Sequence, residues 1–500
     1  MVYTSTRDNT VRVDSATAIM RGISPDGGLY VPVELPKLSY SELCSMVSAD
    51  YQHRAVDILG RFLTDFTDEE LSECVKAAYE DKFGSDTVAP VASINDGRYI
   101  LELWHGPTCA FKDMALQLLP HLLTRSVKKC GDDHEIVILV ATSGDTGKAA
   151  LEGFADVPGT RIIVFYPDEG VSNIQKLQMT TQEGDNVGVC AVWGNFDDAQ
   201  TGVKMIFTND EVKAQLEKNG MAFSSANSIN WGRLVPQIVY YFSAYLDLMQ
   251  TGEMDYEGEE INIAVPTGNF GNILAAFYAK MMGLPVKKLI CASNANNVLT
   301  EFLTTGVYDR NRKFHTTMSP SMDILISSNL ERLLFHLTDG DSARVKGWME
   351  QLSATGRYEV DDDVKQKLFD LFWAGCCDDG ETQAQIKELF DADGYLCDTH
   401  TAVGLHVYTQ YRSATEDVKT PAVIASTASP YKFAPSVLGS FKEPDSARSE
   451  FENIDELSVL SSCPVPAPLA ALESKSVRFD KVCKKEDMTK AVFDMLGIGN

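Results

Sequence analysis

Short apolar runs rich in β-branched residues recur from residue 96 onward, with helical patterns between them. Residues 135–140 (EIVILV) are the clearest case, and such runs are typical of strands buried on both faces of a parallel sheet. The pattern predicts further strands at 99–104, 161–166, 187–193, 261–265, 286–291 and 422–426. It predicts helices near 112–123, 146–155, 173–182, 197–217, 229–249 and 271–282. Strands that alternate with helices predict doubly wound parallel sheets with helices on both faces.

The remaining parts of the chain lack this alternation. Residues 1–95 show mixed, mostly helical patterns, with a helix over 68–81 and no cluster of chemically active side chains. We expect them to form an N-terminal cap. Residues 325–415 have helical patterns, 441–470 resemble a surface connection rich in proline, serine and charge, and 485–496 resemble a closing helix.

The net charge of the chain limits the kinds of molecule that it can bind. The chain of 500 residues has 71 acidic and 44 basic residues, a net charge of -27, which argues against nucleic acid and membrane surfaces as partners. No apolar run is long enough to cross a bilayer, and the first ten residues lack the apolar core of a secretory signal. We therefore expect a cytoplasmic protein.

Cysteine usage supports the same expectation. The 11 cysteines are odd in number and scattered, and no pair has C-x-x-C spacing. This pattern is typical of a reduced intracellular protein whose cysteines are small buried apolar residues. We expect neither a disulfide framework nor a metal site.

One lysine has unusual surroundings. Lys112 follows a turn-forming Gly106–Pro107 pair, and it lies between Phe111 and an apolar run that should form a helix. Burial in partly apolar surroundings disfavours the ammonium form of a lysine, and Schiff-base chemistry requires a deprotonated lysine. A lysine at a helix start is usually solvated, so the case for Lys112 depends on the motifs that follow.

A glycine-rich turn follows the strand at 135–140. Residues 141–150 (ATSGDTGKAA) are small and polar and open a helix, where backbone N–H groups bind anions such as a carboxylate or phosphate. The Gly-Lys pair resembles a nucleotide P-loop. However, that motif needs glycine where Thr142 stands and serine or threonine where Ala149 stands, so a nucleotide site is disfavoured.

A second glycine-rich turn follows the strand at 261–265. Residues 266–272 (PTGNFGN) open the next predicted helix, which suits an anion such as one phosphate. The glycines do not fit G-x-G-x-x-G, so the turn does not indicate a dinucleotide.

Two further segments place polar groups near strand or helix ends. Residues 425–430 (ASTASP) end a strand with hydroxyl groups, one of which could be offered to a ring nitrogen. Residues 224–233 combine amide and hydroxyl donors with Arg233, and arginine is suited to bidentate contact with phosphate or carboxylate. Taken alone, each segment could also be a capped turn.

Together these features indicate one kind of cofactor. A Schiff-base lysine, a cup for one phosphate, a cup for a carboxylate and a hydroxyl for a ring nitrogen suit pyridoxal 5'-phosphate acting on an amino acid. In such enzymes the cofactor carries the chemistry, and the protein supplies orientation and electrostatics. We therefore predict pyridoxal 5'-phosphate as the cofactor.

The same motifs resemble a known family. Residues 105–113 (HGPTCAFKD), 141–147 (ATSGDTG) and 268–272 (GNFGN), with 26–32 and 227–233, are similar to those of threonine synthases of the shorter fungal and proteobacterial branch. The resemblance runs in family order to about residue 430. It implies an α/β protein with the tryptophan synthase β-like fold (fold type II), with doubly wound parallel sheets in two lobes plus an N-terminal cap.

The resemblance implies roles for particular residues. Lys112 would be the catalytic lysine that binds the cofactor, and Thr427 would lie near its pyridine nitrogen. The residues around the cofactor phosphate would be Gly268, Asn269, Phe270, Gly271 and Asn272. Residues facing the substrate would be Ser143, Asp145 and Thr146, with Asn230 and Arg233 as candidates for its phosphate end. The family often has histidine where this chain has Ser429, so no role of that histidine is carried over; His105 and Asp113 are left unassigned.

The resemblance also implies a reaction and a division of the chain. The reaction converts O-phospho-L-homoserine and water to L-threonine and phosphate, with Lys112 as proton shuttle. We expect closure of a part near 145–230, and a monomer or a homodimer. The predicted units are an N-terminal domain (1–95), a lobe with the cofactor lysine and a smaller substrate-closing subdomain (96–250), a large phosphate-binding domain with a helical insertion (251–440) and a C-terminal segment (441–500).

Three alternatives are compatible with some of these motifs. A serine or threonine dehydratase would share the cofactor turns but would not need the cluster at Asn230 and Arg233 for a second phosphate. A phosphate-binding regulatory protein that has lost catalysis would usually lack Lys112. A nucleotide enzyme is disfavoured by the spacing of residues 141–150.

Overall fold

The computed structural model describes residues 1–142, 144–169, 171–443, 445 and 447–499. Its strands, in chain order, are β1 (Tyr3–Ser5), β2 (Tyr30–Pro32), β3 (Val91–Ile94), β4 (Arg98–Glu102), β5 (Glu135–Ala141), β6 (Thr160–Pro167), β7 (Val187–Val192), β8 (Met221–Ser224), β9 (Ile261–Pro266), β10 (Val286–Ser293), β11 (Val307–Asp309), β12 (Arg357–Glu359), β13 (Phe372–Cys376), β14 (Ala422–Ser426) and β15 (Val482–Cys483).

The helices, in chain order, are α1 (Ser15–Arg21), α2 (Tyr40–Ser45), α3 (Tyr51–Phe62), α4 (Asp68–Tyr79), α5 (Asp113–Leu116), α6 (Leu119–Lys129), α7 (Asp145–Phe154), α8 (Asn173–Thr180), α9 (Phe196–Thr208), α10 (Asp210–Lys218), α11 (Trp231–Leu234), α12 (Pro236–Gln250), α13 (Gly271–Met282), α14 (Val298–Thr305), α15 (Leu330–Leu337), α16 (Ser342–Thr355), α17 (Asp362–Leu371), α18 (Asp379–Asp393), α19 (Thr399–Thr415), α20 (Ala434–Leu438), α21 (Glu450–Ser461), α22 (Ala467–Ala470) and α23 (Met488–Leu496). Short 3-10 turns lie at Pro320–Met322, Pro430–Phe433, Leu472–Ser474 and Lys485–Asp487.

Two mainly parallel sheets organise the chain. The larger has six strands in the order β13-β10-β9-β14-β4-β3, in which β3 runs antiparallel to β4 and the other neighbours pair in parallel. The smaller has five parallel strands in the order β15-β7-β6-β5-β8. The inner strands β5, β6, β9 and β14 are buried along most of their length, as expected when helices cover both faces of a sheet. The predicted doubly wound α/β architecture is confirmed.

The connection from β4 to β5 places Lys112 between the two sheets. Strand β4 lies in the larger sheet, next to β14, and the chain then passes through Lys112, α5 and α6 into β5 of the smaller sheet. Strand β14 is flanked by β4 and β9, so the carboxyl ends of these three strands are neighbours. Sites in open parallel sheets lie beyond such ends, and each of the three leads into a motif that the sequence singled out.

The N-terminal segment packs against the same region. Helix α1 contacts α6, and α3 contacts α12. The fully buried Arg332 on α15 donates to the carbonyl oxygens of Tyr30 at 2.9 Å and Ile229 at 2.6 Å. One guanidinium thus ties β2 to the segment that precedes α11.

Some element predictions were wrong. Residues 325–415 are not helical throughout, because Phe372–Cys376 forms β13 at the edge of the larger sheet. A five-residue run with two aromatics (FWAGC) cannot be told from a helix turn by periodicity alone. Residues 441–470 were predicted as a surface connection, but α21 lies there, opened by a capping box between Ser449 and Glu452, which is a readable helix signal.

The C-terminal residues complete the smaller sheet. Strand β15 pairs in parallel with β7, and α23 packs on β6, β7 and α9. Met488 lies so close to α9 that a Cβ atom at Gly202 would be 2.1 Å from its sulfur. The predicted four-unit division of the chain stays a prediction, and both sheets draw strands from more than one of its units.

Among the described residues, no helix has both the length and the apolar composition that a membrane span requires.

Replacing Val492 by alanine tests the packing of α23. Val492 is fully buried, and we expect the substitution to lower the free energy of unfolding by about 2 kcal/mol. Val482→Ala is the matched control, because Val482 is 44% exposed in the same segment and should change that free energy by less than about 0.5 kcal/mol. Urea denaturation measures both; equal effects would contradict the packing.

Candidate active site

Lys112 is largely buried at the start of α5. Its side chain is 11% exposed, and its Nζ lies 3.7 Å from Oδ2 of Asp145 and 5.1 Å from the centre of the Phe111 ring. Burial lowers the pKa of Lys112; Asp145 opposes this effect, while Arg233 and Lys432 reinforce it. Lys112 therefore loses its proton more readily than an exposed lysine, as the sequence suggested.

Backbone hydrogen bonds fix the loop that carries Lys112. Phe111 N donates to Thr427 O at 2.8 Å, and Ser429 N donates to Cys109 O at 3.0 Å. The same two segments form an antiparallel bridge between Ala110 and Ala428. The lysine loop is therefore attached directly to the carboxyl end of β14.

Asp113, which the sequence left unassigned, anchors this loop. Thr108 donates to the Asp113 carboxyl group through its backbone N–H at 2.8 Å and its hydroxyl at 2.6 Å. Burial raises the pKa of Asp113 to about 6, against the effect of these hydrogen bonds. A Cβ atom at Gly106 would lie 2.6 Å from the Asp113 side chain, so the Gly-Pro pair serves this close approach.

His105 has a similar positioning role. Its Nε2 lies 2.6 Å from Oε2 of Glu102, and its ring stacks on Trp104 with centres 4.3 Å apart. Trp104 in turn donates to the Ser426 hydroxyl at 3.0 Å. Trp104 and His105 therefore connect the carboxyl end of β4 to that of β14.

Asp145 lies at the first turn of α7 and faces two lysines. Its Oδ1 is 2.7 Å from Lys432 Nζ and accepts from Gln175 Nε2 at 3.2 Å, while Oδ2 faces Lys112. Burial alone would raise the pKa of Asp145, but Lys432, Lys112 and these hydrogen bonds hold it well below its usual value. The carboxylate is therefore ionised.

Lys432 is a site residue that the sequence reasoning missed. Its side chain is fully buried, and its Nζ also donates to Thr108 O at 2.9 Å. It lies in the 3-10 turn directly after the hydroxyl-rich motif that ends at Pro430. A lysine two residues beyond a predicted site motif was the available signal, but sequence alone does not show its burial.

The turn after β9 approaches its neighbours closely. A Cβ atom at Gly268 would lie 2.8 Å from the carbonyl oxygen of Ser321, and Gly268 O accepts from the Ser327 hydroxyl at 2.9 Å. Phe270, at the N-cap of α13, has φ of 64°, a left-handed conformation that is uncommon outside glycine. The turn is thus held in one specific conformation.

The helix side of this turn carries an unused donor. Asn269 O accepts from Asn329 N at 3.2 Å, and Gly271 begins α13. Asn272 Oδ1 accepts from the hydroxyls of Tyr240 and Tyr241. Among the described residues, its buried Nδ2 has no hydrogen-bond partner, so this N–H group is available to donate to a ligand or a water.

Asn230 and Arg233 differ in what they offer. Asn230 is fully buried; its Nδ2 donates to Ile19 O and Ser225 O, and its Oδ1 accepts from Gly232 N. Both N–H groups of its side chain are thus used by backbone carbonyl groups, and its predicted contact with the substrate stays a prediction.

Arg233 is buried on α11, which packs against α5. It donates to Ala226 O at 2.9 Å, and burial lowers its pKa to about 10. Within the described part of the chain, no carboxylate lies within ion-pair distance of it. A buried cation without an anionic partner is costly, so this position is suited to an anionic ligand.

The other predicted site residues are distributed as follows. Thr427 is buried beside the lysine loop, and Thr146 is half-buried on α7. Ser143 lies outside the described residues. Cys377, Glu381 and His406 bring three potential metal donors within 4.8 Å of one another, although the sequence predicted no metal site; no contact in the described structure links this group to Lys112.

This arrangement defines a class of protein. The chain has two mainly parallel sheets, a buried lysine in the connection between them and glycine-rich turns at strand ends. It has the predicted tryptophan synthase β-like fold (fold type II). The predicted fold class is confirmed by solved structures of this shape.

Comparison with known proteins identifies the family. Models described as "Threonine synthase N terminus" and "Threonine synthase, C-terminal" match residues 2–79 and 401–492. Threonine synthase from Saccharomyces cerevisiae is 33% identical over 98% of both chains. A crystal structure of PLP-bound threonine synthase from Brucella melitensis is 34% identical, covers 100% of both chains and has a TM-score of 0.88. The chain belongs to the threonine synthase family.

One group of relatives is longer than this chain. Threonine synthase-like 1 from Homo sapiens is 42% identical over 435 residues, which make up 85% of this chain but 58% of that protein. The chain therefore spans less than two thirds of the length of this relative.

Replacing Gly268 by alanine tests the close approach at the turn after β9. The added Cβ would clash with Ser321 O, and we expect the free energy of unfolding to fall by about 1–3 kcal/mol. Gly347→Ala is the matched control, because no atom lies within 4 Å of a Cβ there and alanine should stabilise its helix by about 0.5–1 kcal/mol. Both are measured by urea denaturation; a neutral Gly268→Ala would exclude the tight turn.

Proposed function

We propose that this chain is a pyridoxal 5'-phosphate-dependent threonine synthase that converts O-phospho-L-homoserine and water into L-threonine and phosphate. Family membership supports the reaction class. The observation that carries the proposal is that two buried side chains, Lys112 at the start of α5 and Arg233 on α11, lie on helices that contact each other. Burial lowers the pKa of Lys112, and Arg233 faces no carboxylate within the described residues. A nucleophilic amine beside an unpaired guanidinium suits an amino acid substrate with a phosphate group.

The residues present fit the cofactor. Lys112 would hold it covalently, and the turn from Gly268 to Asn272 would hold its phosphate, since backbone N–H groups at the start of α13 favour an anion. The buried Asn272 Nδ2 without a partner supports this fit. Thr427, whose backbone is bonded to the lysine loop, would face the ring nitrogen. When bound, pyridoxal phosphate supplies the electron sink that makes carbon acids of an amino acid substrate reactive.

Lys112 is the group that we assign to proton transfer. Its Nζ is the titratable nitrogen at the centre of the site, and a lowered pKa brings a lysine closer to the pH at which it can both accept and donate a proton. Asp145 stays ionised beside it, so the carboxylate favours the ammonium form at the moment Lys112 holds a proton.

Local charge compensates for the acidic chain. The protein has a net charge of -27, yet the site contains Lys112, Lys432 and Arg233 against two carboxylates, those of Asp145 and Asp113. This local excess of cations favours a substrate with both a carboxylate and a phosphate group. Arg233 is the proposed contact for the substrate phosphate.

Closure of the smaller sheet over the larger would exclude water from the site. Asp145 lies on α7, which follows a strand of the smaller sheet, whereas Lys432 and Thr427 follow a strand of the larger sheet. We propose that the part near 145–230 moves with substrate, because loss of phosphate must precede the addition of water. A cytoplasmic location and a monomeric or homodimeric state are also part of this proposal, based on the sequence.

Lys112→Ala tests the cofactor assignment. We expect the purified wild-type protein to carry the visible absorption of pyridoxal phosphate bound to a lysine, and the variant to lack it and to lose turnover by on the order of 10³-fold or more. Lys387→Ala is the control, since Lys387 is an exposed lysine on α18. A wild-type spectrum without that absorption would overturn the proposed cofactor.

Arg233→Met tests the proposed contact with the substrate phosphate, and a comparison of two substrates separates threonine synthase from a dehydratase. Loss of a charge-assisted contact with the substrate phosphate should raise KM for O-phospho-L-homoserine by about 10- to 100-fold. The control is Arg344→Met, whose guanidinium pairs with Asp361 and Asp363 on the surface. Steady-state kinetics with O-phospho-L-homoserine and, separately, with threonine measure both activities. Wild-type turnover of threonine alone would instead indicate a dehydratase.

A further inference from the structure

Three charged side chains form a chain through the interior of the site. Lys432 Nζ lies 2.7 Å from Oδ1 of Asp145, and Oδ2 of the same carboxylate lies 3.7 Å from Lys112 Nζ. The Lys432 and Asp145 side chains are 0% and 2% exposed. The first distance is that of a charge-assisted hydrogen bond, and the second is too long for one.

We propose that Lys432 is a positioning residue for the proposed reaction. It holds the Asp145 carboxylate in place, so that Lys112 stays 3.7 Å from this carboxylate without a direct hydrogen bond to it. The kinetic part of this proposal rests on the proposed function. The part that concerns Lys112 and Asp145 rests on the contacts alone.

The anchoring of Lys432 supports this role. Its Nζ donates to Thr108 O at 2.9 Å, and Thr108 lies on the loop that leads to Lys112. The backbone N–H of Lys432 donates to Ser429 O at 3.1 Å. Hydrogen bonds therefore fix both the ammonium group and the backbone of Lys432, and the ammonium group holds Asp145 in place.

The ion pair between Lys432 and Asp145 also joins the two sheets. Lys432 follows β14 of the larger sheet, and Asp145 follows β5 of the smaller sheet. Their ion pair therefore joins the carboxyl ends of strands from the two sheets. Gln178 on α8 also donates to Thr108 O, at 3.4 Å, so the same carbonyl accepts from both sides of the site.

Without Lys432, the carboxylate would have a different nearest cation. A buried carboxylate must find a counter-charge, and Lys112 is the cation already within 3.7 Å. If this distance shortened to that of a hydrogen bond, the ammonium form of Lys112 would be favoured. Loss of the Lys432 charge acts in the same direction, because it removes a repulsion on Lys112.

The charged groups that face Lys112 come from several elements. They are Asp113 on α5, Asp145 on α7, Arg233 on α11 and Lys432 in the turn after β14. Asp145 additionally faces the neutral amide of Gln175 on α8. The substitution below changes one of these charges and leaves the others in place.

The test measures the protonation of Lys112 directly. The 500-residue chain, stripped of cofactor with hydroxylamine, is reductively methylated with formaldehyde and cyanoborohydride over a series of pH values. Peptide mass spectrometry then gives the extent of modification of Lys112. We compare wild type with Lys432→Met, with Lys432→Gln, which keeps an N–H donor for Thr108 O, and with Lys432→Arg, which keeps the charge.

We expect both neutral variants to raise the midpoint of Lys112 modification by about one pH unit or more, and Lys432→Arg to restore it towards the wild-type value. Lys148→Met is the matched control. Lys148 is also a buried lysine on α7, but its Nζ pairs with Glu152 and Gln182, so its loss should leave the Lys112 midpoint unchanged.

The outcomes separate this proposal from the proposed function. A neutral variant with an unchanged or lowered midpoint overturns the role of Lys432, even if the wild type makes threonine. Failure of both neutral variants to fold, while Lys148→Met folds, would show that Lys432 is only a folding element and would also overturn it. If the midpoint shifts as expected, the acidic limb of kcat for O-phospho-L-homoserine, which reports groups in the substrate complex, should move up with it. A wild type that lacks threonine synthase activity would refute the proposed function but not the shift.

Discussion

The parallel order β9-β14-β4 in the larger sheet is the constraint on which the site depends. It places the ends of three strands side by side, and two backbone hydrogen bonds then attach the lysine loop to the middle strand. The position of Lys112 relative to Thr427 is therefore set by main-chain geometry rather than by flexible side chains. Residues held in this way suit chemistry that depends on orientation.

The site also depends on how charge is buried. Lys112, Lys432 and Arg233 are cations in the interior of a protein with a large negative net charge, and the carboxylates that face Lys112 are those of Asp145 and Asp113. Burying cations is costly unless partners compensate. Asp145 and backbone carbonyl groups compensate part of this positive charge. The positive charge that stays uncompensated favours the binding of anions.

Much of the fold could be predicted from sequence, because buried parallel strands leave continuous apolar runs. The strand at 422–426 and the helix at 271–282 were predicted with the bounds that the structure has. The short edge strands β13 and β15 were missed, since two to five residues carry too little periodicity. Their position depends on pairing with strands that are distant in the sequence.

The site residues that belong to short local sequence motifs could be predicted. The glycine-rich turns and Lys112 could be found because turn chemistry needs particular residues at particular spacings. Lys432 could not, since its role comes from burial against Asp145, nearly 300 residues earlier in the chain. The converse holds for Asn230, which lies in a motif but is used by the backbone.

The insertion of β15 beside β7 also constrains the order in which the protein can fold during synthesis. Strands β5 to β8 leave the ribosome long before residues 482–483, so one edge of the smaller sheet stays uncovered until β15 has been made. Pairings between such distant residues form slowly, and an open strand edge invites association with other chains. The nascent protein is therefore most exposed to misassembly just before its last strand arrives.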